Sequence, residues 1–360
     1  MVHFQEDIIT FAKHLIEIPT VNPPGEQYEE CIALIQKHCD KLGLETTVVT
    51  CDGLPALIGG TGRGILHFHA HYDVVRGNGS QFHPFLKDGK LYGRGASDMK
   101  GGLAAMLYAL SCLDSPDISF SITADEETGG IHGVNCLLQR GLLRPQAVLM
   151  PEASSNRIWN GCWGAFAAQI TVKGESSHSI YQERGTNAFI DMIDVVQYFR
   201  NQRPERGSLL LGGALTGGTQ FNMVPESCSF SIDWRFPPEQ TLSSITTSVT
   251  EIMENMQKEG ISLSCTPLLE TEGFFTPPQS EIVKTMKKAV HEVRGSCITQ
   301  VCPGFLDIRY FAFRGIPAIA YGPGLLEYAH GPQEYIEVQD LMDAVSIYQR
   351  VARSMMRQAP

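Results

Sequence analysis

The chain has 360 residues, 43% of them hydrophobic, so it can bury a large core and is expected to form two domains. Its formal net charge of −11 argues against nucleic-acid binding, which draws most of its affinity from a basic surface. No apolar run reaches the roughly 20 residues needed to cross a bilayer, and the N-terminal segment carries charges, so neither a membrane span nor a signal peptide is expected. The ten scattered cysteines predict reduced thiols in a cytoplasmic protein.

Hydrophobic spacing predicts the elements of an α/β domain. Helices are predicted where apolar residues recur at helical spacing or form a helix-prone run: over 7–18, 27–42 and 101–113. Strands are predicted in the alternating or buried runs 44–50, 54–60, 64–70, 118–125, 147–153 and 316–322. The glycine-rich stretch 59–64 lacks the lysine of a phosphate-binding loop and precedes a strand, so it is predicted to be a hairpin turn.

The pattern changes between about residues 164 and 270. Strands are predicted there at 164–174, 227–236 and 261–269, with amphipathic helices at 186–200 and 242–257. Strands with two interspersed helices indicate a compact α+β module inserted in the larger domain. The predicted domains are a catalytic domain in two parts, 1–163 and 272–360, and an inserted lid or dimerisation domain, 164–271.

Two adjacent carboxylates, Glu126 and Glu127, follow a predicted strand directly. Such a pair is tolerated best in a solvated loop or beside a cation. Further imidazole and carboxylate groups occur at His71, Asp73, Asp98, Glu152 and His330. These donor types fit zinc, cobalt or manganese. Three of the predicted strands end at His71, Glu127 and Glu152, and sites in open α/β sheets lie beyond the carboxyl ends of strands. The sequence therefore predicts a metal site at this edge.

Taken singly, these residues have other interpretations. His67 and His69 share a strand face with His71 and are rival ligands on spacing alone. Only His71 stands at the strand end with an aspartate behind it, so the other two are predicted to be core histidines. Asp98 alone could be a helix N-cap, and His330 alone could be an ordinary surface histidine.

Together the motifs resemble the signature series of one co-catalytic metallohydrolase family. They are His-x-Asp at 71–73, GRGASDMKGG, DEETGG, PEAS and AHGPQEY, in this order over nearly the whole chain. The family contains acetylornithine deacetylase, succinyl-diaminopimelate desuccinylase, aminoacylases, carboxypeptidase G-like enzymes and several dipeptidases. The resemblance implies a zinc-peptidase-like α/β catalytic domain with a mixed sheet and an inserted α+β lid or dimerisation domain.

The resemblance also implies two divalent metal ions, zinc first, with cobalt or manganese as alternatives. His71 and Glu152 would bind the first ion, Glu127 and His330 the second, and Asp98 both, since a carboxylate has two oxygens to share. Asp73, two residues from His71 on one strand face, can accept a hydrogen bond from the other ring nitrogen and fix its tautomer.

Three residues are predicted to take part in catalysis: Asp73, Glu126 and His178. Glu126 would take the proton of the attacking water and later give it to the leaving amine. His178 matches a histidine that reaches the partner subunit's site and donates to the developing oxyanion, although the family's usual proline shortly after it is missing.

The substrate-binding residues implied are Asn222, Arg235, Arg309, Gly322 and Gly324. Arginine can hold a carboxylate with two parallel hydrogen bonds, although Arg235 by composition alone would be a surface strand residue. The segment GFLDIRYF around Arg309 lacks the Gly-Thr-Ser-Asp form of the desuccinylases, which counts against that subgroup. Turn chemistry alone would explain the two glycines.

The predicted activity is hydrolysis of the amide bond of an N-acyl amino acid, most like acetylornithine deacetylase. The alternative is a dipeptidase or carboxypeptidase of the same family, and a third hypothesis is a catalytically silent binding protein, against which the intact residue set speaks. The expected partners are a small N-acyl amino acid or peptide and a second copy of the chain bound through the insert. Neither nucleic acid nor a membrane is expected as a partner.

Overall fold

A computed structural model describes residues 2–113, 115–202 and 204–357, which fall into two compact units. The larger unit contains the chain up to Gly161, Phe275–Val301, and the chain from Leu306 onward. The smaller unit contains Cys162–Phe274 and Cys302–Phe305. The short second piece of the smaller unit is distant in sequence from the first, so the hydrophobic pattern alone did not reveal its membership.

The elements follow one another as mixed helices and strands. The helices are α1 Val2–Glu17, α2 Tyr28–Lys41, α3 Lys100–Leu110, α4 Val134–Gln139, α5 Ala188–Asn201, α6 Leu242–Lys258, α7 Glu281–Arg294, α8 Arg309–Ala312 and α9 Val338–Arg357. The strands are β1 Thr46–Cys51, β2 Leu54–Gly59, β3 Leu66–His71, β4 Phe85–Lys87, β5 Lys90–Tyr92, β6 Ile118–Thr123, β7 Val148–Met150, β8 Ile158–Cys162, β9 Gly164–Lys173, β10 Ser208–Gly217, β11 Ser227–Phe236, β12 Ser262–Thr271, β13 Phe274–Phe275, β14 Thr299–Cys302, β15 Ala318–Ala320 and β16 Tyr335–Glu337. None of the described helices is long and apolar enough to cross a membrane.

A mixed sheet forms the centre of the larger unit, with the order β1-β2-β6-β3-β7-β15-β8. The central strands β6, β3, β7 and β15 are parallel, whereas β1, β2 and β8 pair antiparallel with their neighbours. The predicted hairpin turn at 59–64 is wrong, because β6 lies between β2 and β3. The glycine-rich stretch instead connects two strands that are not neighbours, a pairing that local sequence cannot reveal.

The central strands are buried along their whole length. Helix α3 packs against α1, α9 and β3, and α7 packs against α9 and β15. A separate three-stranded sheet, in the order β16-β5-β4, joins residues far apart in sequence. In its antiparallel register Tyr335 pairs with Tyr92 and Glu337 with Lys90.

The smaller unit is a four-stranded antiparallel sheet, in the order β10-β11-β9-β12, with helices α5 and α6. Alternate residues of β9 and β11 face a core that includes Ile170, Phe230 and Ile232, against which Phe199 of α5 and Ile252 of α6 pack. The element order βαββαβ with this strand order is a ferredoxin-like arrangement. The predicted fold class, an α/β domain with a mixed sheet and an inserted α+β domain, is confirmed.

Candidate metal centre and active site

The predicted ligands converge at the carboxyl ends of the central parallel strands. His71 is the last residue of β3, Glu127 lies four residues after β6, and Glu152 lies two residues after β7. Asp98 lies two residues before α3. Parallel neighbours end at the same edge of a sheet, so their following residues meet there. The structure brings together two groups of donor atoms, each within 4.8 Å of one another: His71, Asp98 and Glu152, and Asp98, Glu127 and His330.

Asp98 belongs to both groups and has one oxygen in each. Its Oδ1 lies 3.2 Å from Nε2 of His71, and its Oδ2 lies 3.2 Å from Nε2 of His330. A second carboxylate faces each histidine, with Glu152 Oε2 at 3.4 Å from His71 Nε2 and Glu127 Oε2 at 3.2 Å from His330 Nε2. This arrangement is what two ions bridged by one carboxylate require.

Two observations indicate that these residues are suited to bind divalent cations. Nε2 of His71 and Oε2 of Glu152 are buried without a hydrogen-bond partner, although each can bind a cation. Donor atoms bound tetrahedrally at about 2.1 Å lie about 3.4 Å from one another, close to the 3.2–3.4 Å separations here. Three carboxylates and two imidazoles therefore form two donor sets suited to zinc-like ions.

The charges at the site interact strongly with one another. Hydrogen bonds to Asp98 and Glu127 raise the pKa of His330 to about 10. Burial, together with the charge of Asp98, raises the pKa of Glu152 to about 7. Burial opposes ionisation of Asp98, but the nearby imidazoles of His330 and His71 hold its pKa below the usual range. Cations in the two groups would offset the repulsion among the carboxylates.

Asp73 connects His71 to the segments that carry Asn22 and Glu127. Nδ1 of His71 lies 3.1 Å from the backbone oxygen of Asp73 and 3.3 Å from its Oδ1. The other carboxylate oxygen accepts hydrogen bonds from Nδ2 of Asn22 at 2.9 Å and from the backbone N–H of Glu127 at 3.2 Å. A proton on Nδ1 would leave Nε2 free to bind a metal, and this role of Asp73 stays a prediction.

Glu126 lies at the start of a single 3₁₀ turn, Glu126–Thr128, and is buried. Asp125 before it has a left-handed backbone, φ 72°, which turns the chain sharply after β6. Burial raises the pKa of Glu126 well above its ordinary value, and the charges of Asp307 and Glu127 add to the effect. Glu127 points to His330 and accepts a hydrogen bond from the N–H of Val75.

His67 and His69 lie in the core, as predicted, and belong to neither ligand group. His67 faces Ser119 and Ser121 of the neighbouring strand, each at 2.8 Å, and burial lowers its pKa well below the ordinary value. His69 Nδ1 faces Ser121 at 2.9 Å. The two serines opposite in the parallel register therefore satisfy the buried imidazoles.

Arg309 and the two glycines lie beside the loops that carry the ligands. Arg309 is buried and donates to the carbonyls of Gly129 at 2.6 Å and Leu306 at 3.0 Å, so it holds the loop after Glu126. A side chain at Gly322 would lie 2.5 Å from the carbonyl of Glu152, and one at Gly324 would lie 2.7 Å from Oγ of Ser97. These hydrogen bonds explain Arg309 and close packing explains the two glycines, and contact of the three with substrate stays a prediction.

The remaining predicted residues lie in the smaller unit. His178 is exposed, and its Nδ1 accepts the backbone N–H of Ile180 at 3.3 Å. Oδ1 of Asn222 is buried without a hydrogen-bond partner. Two of the three guanidinium nitrogens of Arg235, Nε and Nη2, already bind Asp233, at 2.7 and 3.0 Å. A substrate carboxylate at Arg235 would have to compete with Asp233 for these two nitrogens or bind through Nη1.

Sequence analysis missed a buried ion pair next to the ligands, Arg94 with Glu334. Both residues lie inside motifs that carried the family resemblance, GRGASDMKGG and AHGPQEY. A buried arginine and glutamate are unusual in a protein core unless they are paired. That expectation could have linked the two motifs.

Comparison with protein families identifies the chain. Residues 67–354 match the model of the peptidase family M20/M25/M40. The protein is a member of this family. It is a metal-dependent hydrolase that acts on amide bonds, and its family includes enzymes that bind two metal ions. The family predicted from the motifs is thereby confirmed.

Several known proteins align with this hydrolase over almost its whole length. Succinyl-diaminopimelate desuccinylase of Acinetobacter baylyi is 26% identical, covering 98% of this chain and 99% of the relative. The aminopeptidase PepT of Bacillus cereus superposes with a TM-score of 0.80 at 20% identity, over 98% of this chain and 99% of that one. The Bacillus subtilis protein YXEP, described as a dinuclear metal-binding M20 peptidase, superposes with a TM-score of 0.73 at 14% identity over 100% of both chains. At these identities the structural likeness shows the fold alone.

Proposed function

We propose that this M20 hydrolase uses two divalent ions to cleave the amide bond of an N-acyl amino acid, in the manner of a deacetylase. One observation carries the two-ion proposal: the oxygens of Asp98 face the Nε2 atoms of His71 and His330, each at 3.2 Å. Relatives named desuccinylases support an N-acyl substrate. Neighbours named peptidases support the alternative, a dipeptidase or carboxypeptidase.

Divalent ions held by these groups would lower the pKa of water and polarise the scissile carbonyl. Glu126, buried beside Glu127, would accept the proton of the attacking water and deliver it to the leaving amine nitrogen. Asp73 would keep the proton of His71 on Nδ1, away from the first metal group. Each of these steps uses a side chain at the edge where the parallel strands end.

A substrate panel distinguishes the proposed activity from its alternative. Protein supplied with zinc, cobalt or manganese is expected to release free amino acids from N-acetyl or N-succinyl amino acids at least tenfold faster, by kcat/KM, than from dipeptides of the same residues. Excess chelator should abolish release, and added metal should restore it. Faster cleavage of dipeptides would favour the peptidase, and full activity with no detectable metal would contradict the mechanism.

We also propose that the chain forms a dimer through the smaller unit, with His178 acting in the active site of the partner. The proposal rests on the exposed edge of the smaller unit. Strand β10 lies at the end of its sheet and exposes Leu210 and Leu215, by 59% and 65%. An open strand edge with apolar side chains is a surface that a second copy could cover. His178 is exposed in the same unit, so it could reach the site of a partner.

Mixed dimers test this shared site. His178→Ala and Glu126→Ala homodimers are each expected to be nearly inactive, since losing one oxyanion donor typically costs about 10²–10³ in turnover. A dimer with one subunit of each kind would contain one site with both residues intact, so it should regain up to about half of the wild-type activity. Tagged subunits mixed after reversible dissociation and assayed per dimer provide the measurement. A fully active monomer by light scattering would contradict the proposal.

A further inference from the structure

Arg94 and Glu334 form a buried ion pair that the proposed reaction does not use. Nη1 of Arg94 lies 2.5 Å from Oε2 of Glu334, and the two side chains are 4% and 0% exposed. Taking two charges out of water is unfavourable, so such a pair is stable only when its geometry and further hydrogen bonds compensate. Here the further hydrogen bonds lead to the metal ligands on both sides.

Glu334 holds the segment that carries Asp98. Its Oε1 accepts the backbone N–H of Ser97 at 3.0 Å and that of Asp98 at 3.1 Å. Ser97 also donates its hydroxyl to the carbonyl of Tyr335 at 2.6 Å. The backbone from which the shared carboxylate projects is therefore tied to residues 334 and 335.

Arg94 holds the segment that carries His330. Its Nη2 donates to the carbonyl of His330 at 3.1 Å and to that of Arg76 at 3.4 Å. His330 has a left-handed backbone, φ 63°, which is uncommon for a residue with a Cβ and persists only where its surroundings hold it. Nε2 of Gln81 supports the same turn by donating to the carbonyl of Gly331 at 3.0 Å.

The small sheet explains how residues so distant in sequence meet. Strands β5 and β16 pair antiparallel, so the end of β5 lies beside the start of β16. Arg94 follows β5 by two residues, and Glu334 immediately precedes β16. The segments that bear Asp98 and His330 therefore leave the sheet at the same end, and the ion pair joins them there.

The two metal groups depend unequally on the hydrogen bonds that Arg94 and Glu334 make. His71 ends β3 and Glu152 follows β7 closely, so the central sheet holds both. His330 lies in a loop ten residues after β15, and its side chain is 52% exposed. Arg94 binds the carbonyl of His330 directly, whereas β3 and β7, which hold His71 and Glu152, are held by pairing with neighbouring strands.

We propose that the Arg94–Glu334 pair is a positioning device that sets the affinity of the second metal group, Asp98, Glu127 and His330, and leaves the first group nearly independent. The inference rests on the proposed two-metal function. The pair acts through the backbone of His330 and through the start of α3, and contacts neither metal nor substrate itself.

Two variants change the contacts of Arg94 and of Glu334 separately. In Arg94→Lys the single ammonium group can still pair with Glu334. It lacks the second nitrogen with which the planar guanidinium of Arg94 also binds the carbonyl of His330. In Glu334→Gln the amide oxygen can still accept from Ser97 and Asp98, while the amide N–H₂ faces the donors of Arg94. Both changes should loosen His330 and leave His71 and Glu152 in place.

Calorimetric titration of chelator-stripped protein with Co²⁺ measures the effect. Wild-type protein should bind two ions per chain in two binding events. The event that is absent in His330→Ala is assigned to the second group. Arg94→Lys and Glu334→Gln are expected to weaken that event at least tenfold and to change the other event by no more than about twofold. Arg294→Lys is the matched control, because Arg294 pairs with Asp340 and Asp343 away from the ligands, and it should change neither event.

Equal weakening of both events, or no change in either, would overturn the inference while leaving a two-metal wild type intact. A wild-type protein that binds fewer than two ions would overturn the proposed function and this inference together. Circular dichroism of the metal-free variants verifies their folding. Gln81→Met, at a half-buried position, takes their place should both buried variants fail to fold, with the same selective tenfold loss expected and its absence counting against the inference.

Discussion

Replacement of Glu126 by glutamine is expected to lower kcat by about 10⁴ while two divalent ions per chain stay bound. Glu126 belongs to neither ligand group found among the described residues, yet it is buried directly beside Glu127, which belongs to one. Glutamine keeps the size of the side chain but cannot accept a proton from water at neutral pH. A residue that acts first as base and then as acid contributes at the upper end of the usual 10²–10⁴ range.

Steady-state kinetics and metal analysis of the same preparation test this expectation. Glu127→Gln is the matched control, one residue away with the same change of charge, and it should lose one ion as well as activity. If Glu126→Gln loses an ion and Glu127→Gln retains both, the two glutamates exchange roles. A Glu126→Gln protein with kcat within tenfold of wild type would exclude it as the proton acceptor.

The position of the candidate site could be predicted because its signals are local in sequence. His71 ends one short buried strand, and Glu127 and Glu152 closely follow two others. Parallel strands bring their ends together whatever the remaining topology. The distinction between His71 and the two preceding histidines also depended on local features, the strand end and the trailing Asp73. Serines on the neighbouring strand then account for the buried His67 and His69.

Three features that sequence analysis missed depend on contacts between distant residues or on an irregular strand. Strand β10 contains glycines, including Gly212 at φ 75°, and its register shifts between Leu211 and Leu215, which obscures the alternation of a regular strand. The insertion of β6 between β2 and β3 is a matter of strand order, which no turn motif encodes. The pairing of Arg94 with Glu334 depends on the small sheet formed by three-residue strands, too short to give a periodic signal.

Asp98→Asn is expected to remove both metal ions and with them all measurable activity. The asparagine side chain is nearly the same size, but it has no charge and only one oxygen, whereas Asp98 presents one oxygen to each donor group. Loss of a ligand that belongs to only one group should remove only one of the two ions. Glu152→Gln and Glu127→Gln are therefore expected to retain about one ion per chain.

Metal analysis after gel filtration compares the three variants directly, and melting temperature with and without Co²⁺ gives a second measure. An ion at 100 times its dissociation constant stabilises the folded state by about 2.7 kcal/mol, so wild-type protein should melt at a higher temperature when Co²⁺ is added. Asp98→Asn should show almost no such increase, and each single-group variant should show part of it. If Asp98→Asn retained as many ions as Glu152→Gln, Asp98 would serve one group only. The bridging geometry on which the two-ion proposal rests would then be wrong.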